Sequence, residues 1–303
     1  MFSRLALPLC FMLLVALAPA VEAQVTLKPK FEPGVKYKVR DTSKVSQTLT
    51  LGGMPLPSKA DNTVVQQYVY RERDEKGNLP IDVKFESIVS ELSLPGGQKL
   101  HFDSAKPDEK AENPQLEAVL DVYRKLNGLT VTHTVGPDSK VVSVAGIQEG
   151  TQLNADELKE KYQQEIDVLP EKSLKPGDTW ERTDVLGLGQ GQVLTFQRKY
   201  EYHGQAPQFP TVPDSKLLDK ITATDSSVEY SVKPGRGLPI TVNKSDLKIE
   251  SSKHAYWFDR QAGRLVASES ELKITGSLSL VVNFMNFDGE LDLTMTSKEE
   301  EIE

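Results

Sequence analysis

The sequence has 303 residues, one cysteine, and 44 acidic against 36 Lys and Arg side chains, for a formal net charge of −8. One thiol closes no intrachain disulfide and builds no thiolate metal site, so stability must come from a packed core. An acidic chain without a basic block argues against a nucleic-acid partner.

The chain opens with Arg4 and the apolar run LALPLCFMLLVALAPA, which contains Cys10, followed by small residues at Val21–Ala23. This pattern predicts a signal peptide over 1–23 with Gln24 as the mature N-terminus, a cut after Ala20 being the alternative. No later apolar run is long enough to span a bilayer, so no transmembrane segment is expected after cleavage.

Two phrases then echo each other: FEPGVKYKVR, Phe31 to Arg40, and LKPGDTWERT, Leu174 to Thr183. Pro fixes φ for the first central position of a turn, and Gly supplies the positive φ of a type II turn. Each phrase therefore predicts a turn that launches a strand, with Tyr37 or Trp180 facing inward. The echo divides the mature chain into an N-terminal half, 24–168, that carries the helices, and a C-terminal half, 169–303. One continuous domain is the alternative.

Most of the remaining sequence alternates with period two, the mark of half-buried antiparallel strands. IDVKFESIV places Ile81, Val83, Phe85 and Val89 on one face. LKIES and LDLTMT do the same with Leu247 and Ile249, then Leu291, Leu293 and Met295. DEKGN, LPGGQ, GPDSK, DRQAG and FDGE read as turns. Two segments read as helices. NPQLEAVLDVYRKLNG has Asn113 as N-cap, Pro114 at the first position and Gly128 past its end. LNADELKEKYQQEI has Asn154 and Glu157 spaced as a capping box, with Leu158, Tyr162 and Ile166 as its apolar stripe and its outer face in water. The fold class expected is mainly β (α+β): a long curved antiparallel sheet, half-barrel-like, with about two covering helices.

The residues offer no linear catalytic motif: no Gly-x-Ser-x-Gly, no His-Glu-x-x-His, no phosphate loop. GLGQGQ leads into a strand, so it reads as a hairpin loop. His101, His133, His203 and His254 lack metal-site spacing. No catalytic residue, metal or cofactor is expected. Candidate ligand-binding residues come from three places. His133 shares a face with Leu129, Val131 and Val135, where an imidazole could orient a ligand or sit satisfied in the core. LSLVVNFMNF reads as one strand apolar on both faces. Leu278, Leu280, Val282 and Phe284 lie on one; Val281, Met285 and Phe287 lie on the other, as pocket or as core. LGGMPLP puts Met54 and Leu56 at a hairpin tip, for contact with a ligand, membrane or partner, or as a cap on the sheet.

The order of FEPGVKYKVR, LTVTHTVGPDSKVVSVAG, a helix, LPEKSLKPGDTWERT and YWFDRQAGRLVASESELKITG resembles a family of exported bacterial proteins of uncharacterised function, the DUF6263-like group. Pro170, Pro176, Gly177, Asp178 and Trp180 are the most specific part of the pattern. The resemblance covers most of the mature chain and implies a periplasmic or extracellular β-rich protein without assigned catalytic residues. The plan is similar, more distantly, to half-barrel lipoprotein carriers of the LolA/LppX kind, which implies a hydrophobic small molecule or lipid as partner. Two functional readings follow: a non-enzymatic envelope protein that binds a lipid or acyl chain, or a structural module that meets another envelope protein. An enzyme built from residues distant in sequence stays open as a minor reading.

Overall fold

The computed structural model describes residues 24–189, 191–207, 217–233, 240–282 and 285–303. The expected signal peptide and Phe284 lie outside them. In chain order the elements are β1 (Lys36–Leu51), β2 (Met54–Tyr70), β3 (Leu79–Leu94), β4 (Gln98–Asp103), α1 (Glu117–Leu126), β5 (Thr130–Val135), β6 (Val141–Ala145), α2 (Ala155–Ile166), β7 (Thr179–Gly189), β8 (Gln192–Pro207), β9 (Leu217–Val232), β10 (Ile240–Asp259), β11 (Arg264–Val282) and β12 (Met285–Ile302). The fold is mainly β with two α-helices, as expected.

The twelve strands form one antiparallel sheet in the order β6-β5-β3-β2-β1-β12-β11-β10-β9-β8-β7, with β4 paired to β3 off this path. Strands from both halves of the chain join where β1 pairs with β12. Laid flat, the path would separate its end strands by about 48 Å, at roughly 4.8 Å per strand. Yet α2 bonds to both ends. The Val141 N–H of β6 donates to Gln163 Oε1 at 2.8 Å, and the Val185 N–H of β7 donates to Gln164 Oε1 at 2.7 Å. Arg182 of β7 also donates to the Gln164 carbonyl. The sheet is therefore rolled, with α2 bridging its two edges.

The echoed phrases make the same local structure. Gly34 and Gly177 have φ of +83° and +87°. The Gly34 N–H donates to the Tyr70 carbonyl, and the Gly177 N–H to the Tyr202 carbonyl. Tyr37 then stacks on its cross-strand neighbour Tyr68 at 4.9 Å, and Trp180 on Tyr200 at 5.3 Å. Both turns lie at one end of the sheet. There the N-terminal segment forms a floor: Val25 bridges Leu174, the Lys30 N–H donates to the Gly263 carbonyl, and buried Leu27 packs with Phe258 and Tyr202.

Both helices start at an asparagine whose side chain accepts from the first turn: Asn113 from Gln115, Asn154 from Asp156 and Glu157. Before α1 this first turn, Pro114–Leu116, is a 3₁₀ turn. Leu116 and Leu120 pack on Ile88 and Phe102, while Leu158, Tyr162 and Ile166 pack around Val83, Val141 and Tyr68.

Three sequence expectations are corrected. Val89 faces outward and Ile88 inward, because a bulge between the pairs Val65–Ser87 and Gln66–Phe85 shifts the alternation by one residue. FDGE is not a turn; it lies within β12, and Gly289 is there because a Cβ would come within 2.9 Å of the Leu51 side chain and 3.0 Å of the Thr50 carbonyl. LSLVVNFMNF is not one strand, since Val282 pairs with Met285 across a reversal. The apolar stretch is a hairpin end, which is why both its apparent faces are apolar.

Gln163→Leu and Gln164→Leu test the bridge separately. Each leaves an edge N–H without its partner, which costs about 1 to 3 kcal/mol if it stays buried. Amide exchange should accelerate at Val141 in the first variant and at Val185 in the second. Unchanged exchange at both amides would show that α2 does not hold the edges.

Candidate functional site

Cross-strand register fixes which side chains face inward, because paired residues share a face. One inward row runs Ser43–Ser297–Ser270–His254–Ala223–Tyr200 across β1, β12, β11, β10, β9 and β8. Four of these six side chains are Ser or Ala. A row of this kind cannot fill the interior of a rolled sheet, and a cavity of about 580 Å³ remains between it and α2. Its size falls in the range of small-molecule sites, about 300 to 1,000 Å³.

The cavity has three bands. Pro29 and Phe31 of the N-terminal segment, with Tyr37, Tyr68 and Tyr70, form an aromatic floor. Val45, Leu186, Phe196, Leu272 and Met295 close the opposite end. Between them lies a charged girdle. Asp41 of β1 and Glu299 of β12 are direct cross-strand partners, a like-charge placement that is unfavourable in itself. Lys161 and Glu165 of α2 complete the group, 3.7 Å apart. Their side chains keep 58% and 48% of their accessible surface although protein surrounds them, because they project into the cavity. Burial raises the pKa values of Asp41 and Glu165 and pushes Glu299 up to about 7, where Glu165 adds repulsion. The Glu165 carboxylate raises the pKa of the Lys161 ammonium in turn.

A second polar group lines the wall. The His254 ring bonds Asp225 through Nε2 at 2.9 Å and Ser270 Oγ through Nδ1 at 2.7 Å. The Asp225 carboxylate also takes two bonds from Arg198, at 2.6 and 3.2 Å. Burial opposes ionisation of Asp225, but hydrogen bonds from His254 and Arg198 outweigh it and hold the carboxyl well below the usual range. Arg198 also meets Asp184, which Arg182 pairs at 2.8 Å and to which the Tyr200 hydroxyl donates. The Asp225–His254–Ser270 sequence has the order of an acyl-transfer triad. Ser270, however, is paired on both sides by β10 and β12, so its backbone belongs to the ladder and supplies no oxyanion donors. Arg198 sits on Asp225 where a triad needs that charge for the imidazolium. The geometry is that of a satisfied internal network.

Of the six candidate residues from sequence, His133 lines the cavity. It is 5% exposed, stacks on Tyr162 at 3.9 Å, and its Nδ1 has no hydrogen-bond partner. Met54, Leu56, Met285 and Phe287 lie instead at the far end of the sheet, on the inward side by register: Leu51 pairs with Met54, Leu49 with Leu56, and Leu280 with Phe287. Met54 is 66% and Met285 58% exposed. Between this rim and the cavity lies a packed cluster with Leu194, Ile274, Leu291 and Leu293 at its centre. Val281 pairs with Asn286 and points to the opposite face from Phe287, because the strand reverses between them. Sequence reasoning missed Asp41, Lys161, Glu165 and Glu299. The available signal was the break in apolar alternation at inward positions of β1, where Asp41 and Ser43 separate Val39 from Val45. Among the described residues no His, Cys, Asp and Glu group converges to hold a metal ion.

Burial lowers the His133 pKa from 6.5 to about 4. The unfolded chain therefore takes this proton first as pH falls, and stability is lost between about 6.5 and 4. His133→Phe keeps the stack and removes the proton site. It should retain about 3 kcal/mol more of its neutral-pH stability at pH 4 than the parent does, at 1.36 kcal/mol per pKa unit. Glu299 has the opposite sign: its raised pKa withdraws stability as pH rises from about 4.5 to 7, so Glu299→Gln should stabilise at pH 8 and not at pH 4. Parallel stability–pH curves for parent and variants would contradict both assignments.

No family model matches the sequence, and no curated protein matches it. Among solved structures the chain is similar to DynF from the dynemicin biosynthesis pathway of Micromonospora chersina, at 8% identity and TM-score 0.20 over 92% of this chain and 85% of that one. It is similar to Pseudomonas aeruginosa OpdQ at 8% and 0.22, over 88% and 99%. It is similar to a DUF1329 family protein from Desulfovibrio piger at 7% and 0.14, over 86% and 84%. Likeness at these TM-scores fixes neither fold nor function.

Proposed function

We propose that this protein is an exported, non-enzymatic envelope protein that binds an amphipathic small molecule, of the lipid or acyl-chain class, in the cavity beneath α2. The observation that carries the proposal is a cavity of about 580 Å³ inside an otherwise packed rolled sheet. A core meant only for stability would place Leu or Ile at the inward positions held by Ser43, Ser297 and Ser270, each such side chain contributing about 1.5 to 3 kcal/mol when buried. The leader-like first 23 residues and the resemblance to exported β-rich proteins support the location. The aliphatic end at Val45, Leu272 and Met295 suits a chain, and the girdle suits a polar head.

Met54 and Met285 favour a second reading, that the far rim meets another envelope protein. Exposed apolar side chains on neighbouring hairpin ends are what such contacts use.

Ser297→Trp tests the cavity. The indole would enter the space from the serine row, and binding of the neutral fluorescent probe N-phenyl-1-naphthylamine should weaken at least tenfold while the thermal midpoint holds. Met54→Ser with Met285→Ser should leave probe binding unchanged. If the rim variant alone abolished binding, the ligand would not sit under α2.

A further inference from the structure

The girdle also indicates the charge of the ligand, an inference that rests on the cavity being a binding site. Asp41 and Glu299 stand opposite each other on paired strands, and Glu165 reaches the same space from α2. Lys161 is the one cation of α2 lining this space. Nearby cations on the other walls are committed. Arg264 of β11 pairs with Glu301 at 2.8 Å, Arg182 of β7 with Asp184, and Lys30 donates to the Gln261 carbonyl. Three carboxylates thus face one ammonium, in a position where cross-strand like charges destabilise the sheet. The trio does not converge at metal-ligand spacing, so a small inorganic ion does not match it. Tyr37 and Tyr68 form a parallel stack on the same wall, and the Arg264 guanidinium already lies over the Tyr37 ring at 4.4 Å. Rings and carboxylates together are the surroundings that an organic ammonium prefers. His133 also belongs to this wall, with its ring stacked on Tyr162 at 3.9 Å.

We propose that the ligand is an amphipathic organic cation. Its ammonium lies among Asp41, Glu165 and Glu299, beside Tyr68. Its apolar part lies toward Val45, Leu272 and Met295. The charge deficit is then relieved by the ligand and not by the chain, which explains why the like-charge pair stands where a Ser or Thr pair would hold the sheet better.

The test uses three amphiphiles of equal chain length below their critical micelle concentrations: octyltrimethylammonium, octyl sulfate and octyl glucoside. Binding is measured by titration calorimetry at pH 8 on the full mature chain, on Asp41→Asn with Glu299→Gln, and on Ser297→Trp. The double variant removes a repulsion, so it should fold at least as well as the parent. The expected result is octyltrimethylammonium at least tenfold tighter than octyl sulfate, with this preference lost in the double variant and octyl glucoside unchanged there. Octyl sulfate binding equally or more tightly would overturn the cationic head group and leave the cavity reading standing, provided Ser297→Trp blocks all three. Failure of all three to bind the parent would overturn both.

Discussion

The structure depends on how a rolled sheet that does not close on itself deals with its two edges. Unpaired strand edges are templates for aggregation, and proteins cover, blunt or close them. Here two consecutive glutamines on one helix do so: Gln163 accepts from β6 and Gln164 from β7. A helix repeats every 3.6 residues, so neighbouring side chains point about 100° apart. That divergence lets one turn of α2 reach both edges while Tyr162 and Ile166 pack inward.

The cavity follows from the same arrangement. A helix lodged between the edges holds them apart, and the inward row of small side chains leaves the gap unfilled. At the two ends the sheet is packed by other means: the N-terminal segment at the floor and a leucine cluster toward the hairpin rim. The polar groups that face the cavity are of two kinds. The Arg198–Asp225–His254–Ser270 network satisfies itself. The Asp41–Glu299–Glu165 group has one nearby ammonium, Lys161, for three carboxylates, and the proposed ligand would supply the missing positive charge.

Much of the fold was legible in the sequence because its signals are local. The Pro-Gly phrases, the asparagine caps and the β5–β6 hairpin all depend on residues a few positions apart. Val89 misled because a bulge is a property of two strands, invisible in one. Gly289 misled because a glycine needed for close approach reads like a glycine needed for a turn. The site was mostly hidden. Lys161 and Glu165 lie one position off the apolar stripe of α2 and read as a solvated i, i+4 pair. Only the rolling of the sheet turns that face toward a cavity. Asp41 and Glu299 are more than 250 residues apart in sequence and become neighbours solely through the β1–β12 pairing.

The central claim is that the space beneath α2 is kept open for an occupant. The most direct measurement is the native against the denatured mass of the protein, purified without detergent from the cells that make it, with extraction of whatever accounts for the difference. The account predicts one small amphipathic molecule per chain, lost in Ser297→Trp. Equal native and denatured masses, together with no uptake of added amphiphiles, would contradict it.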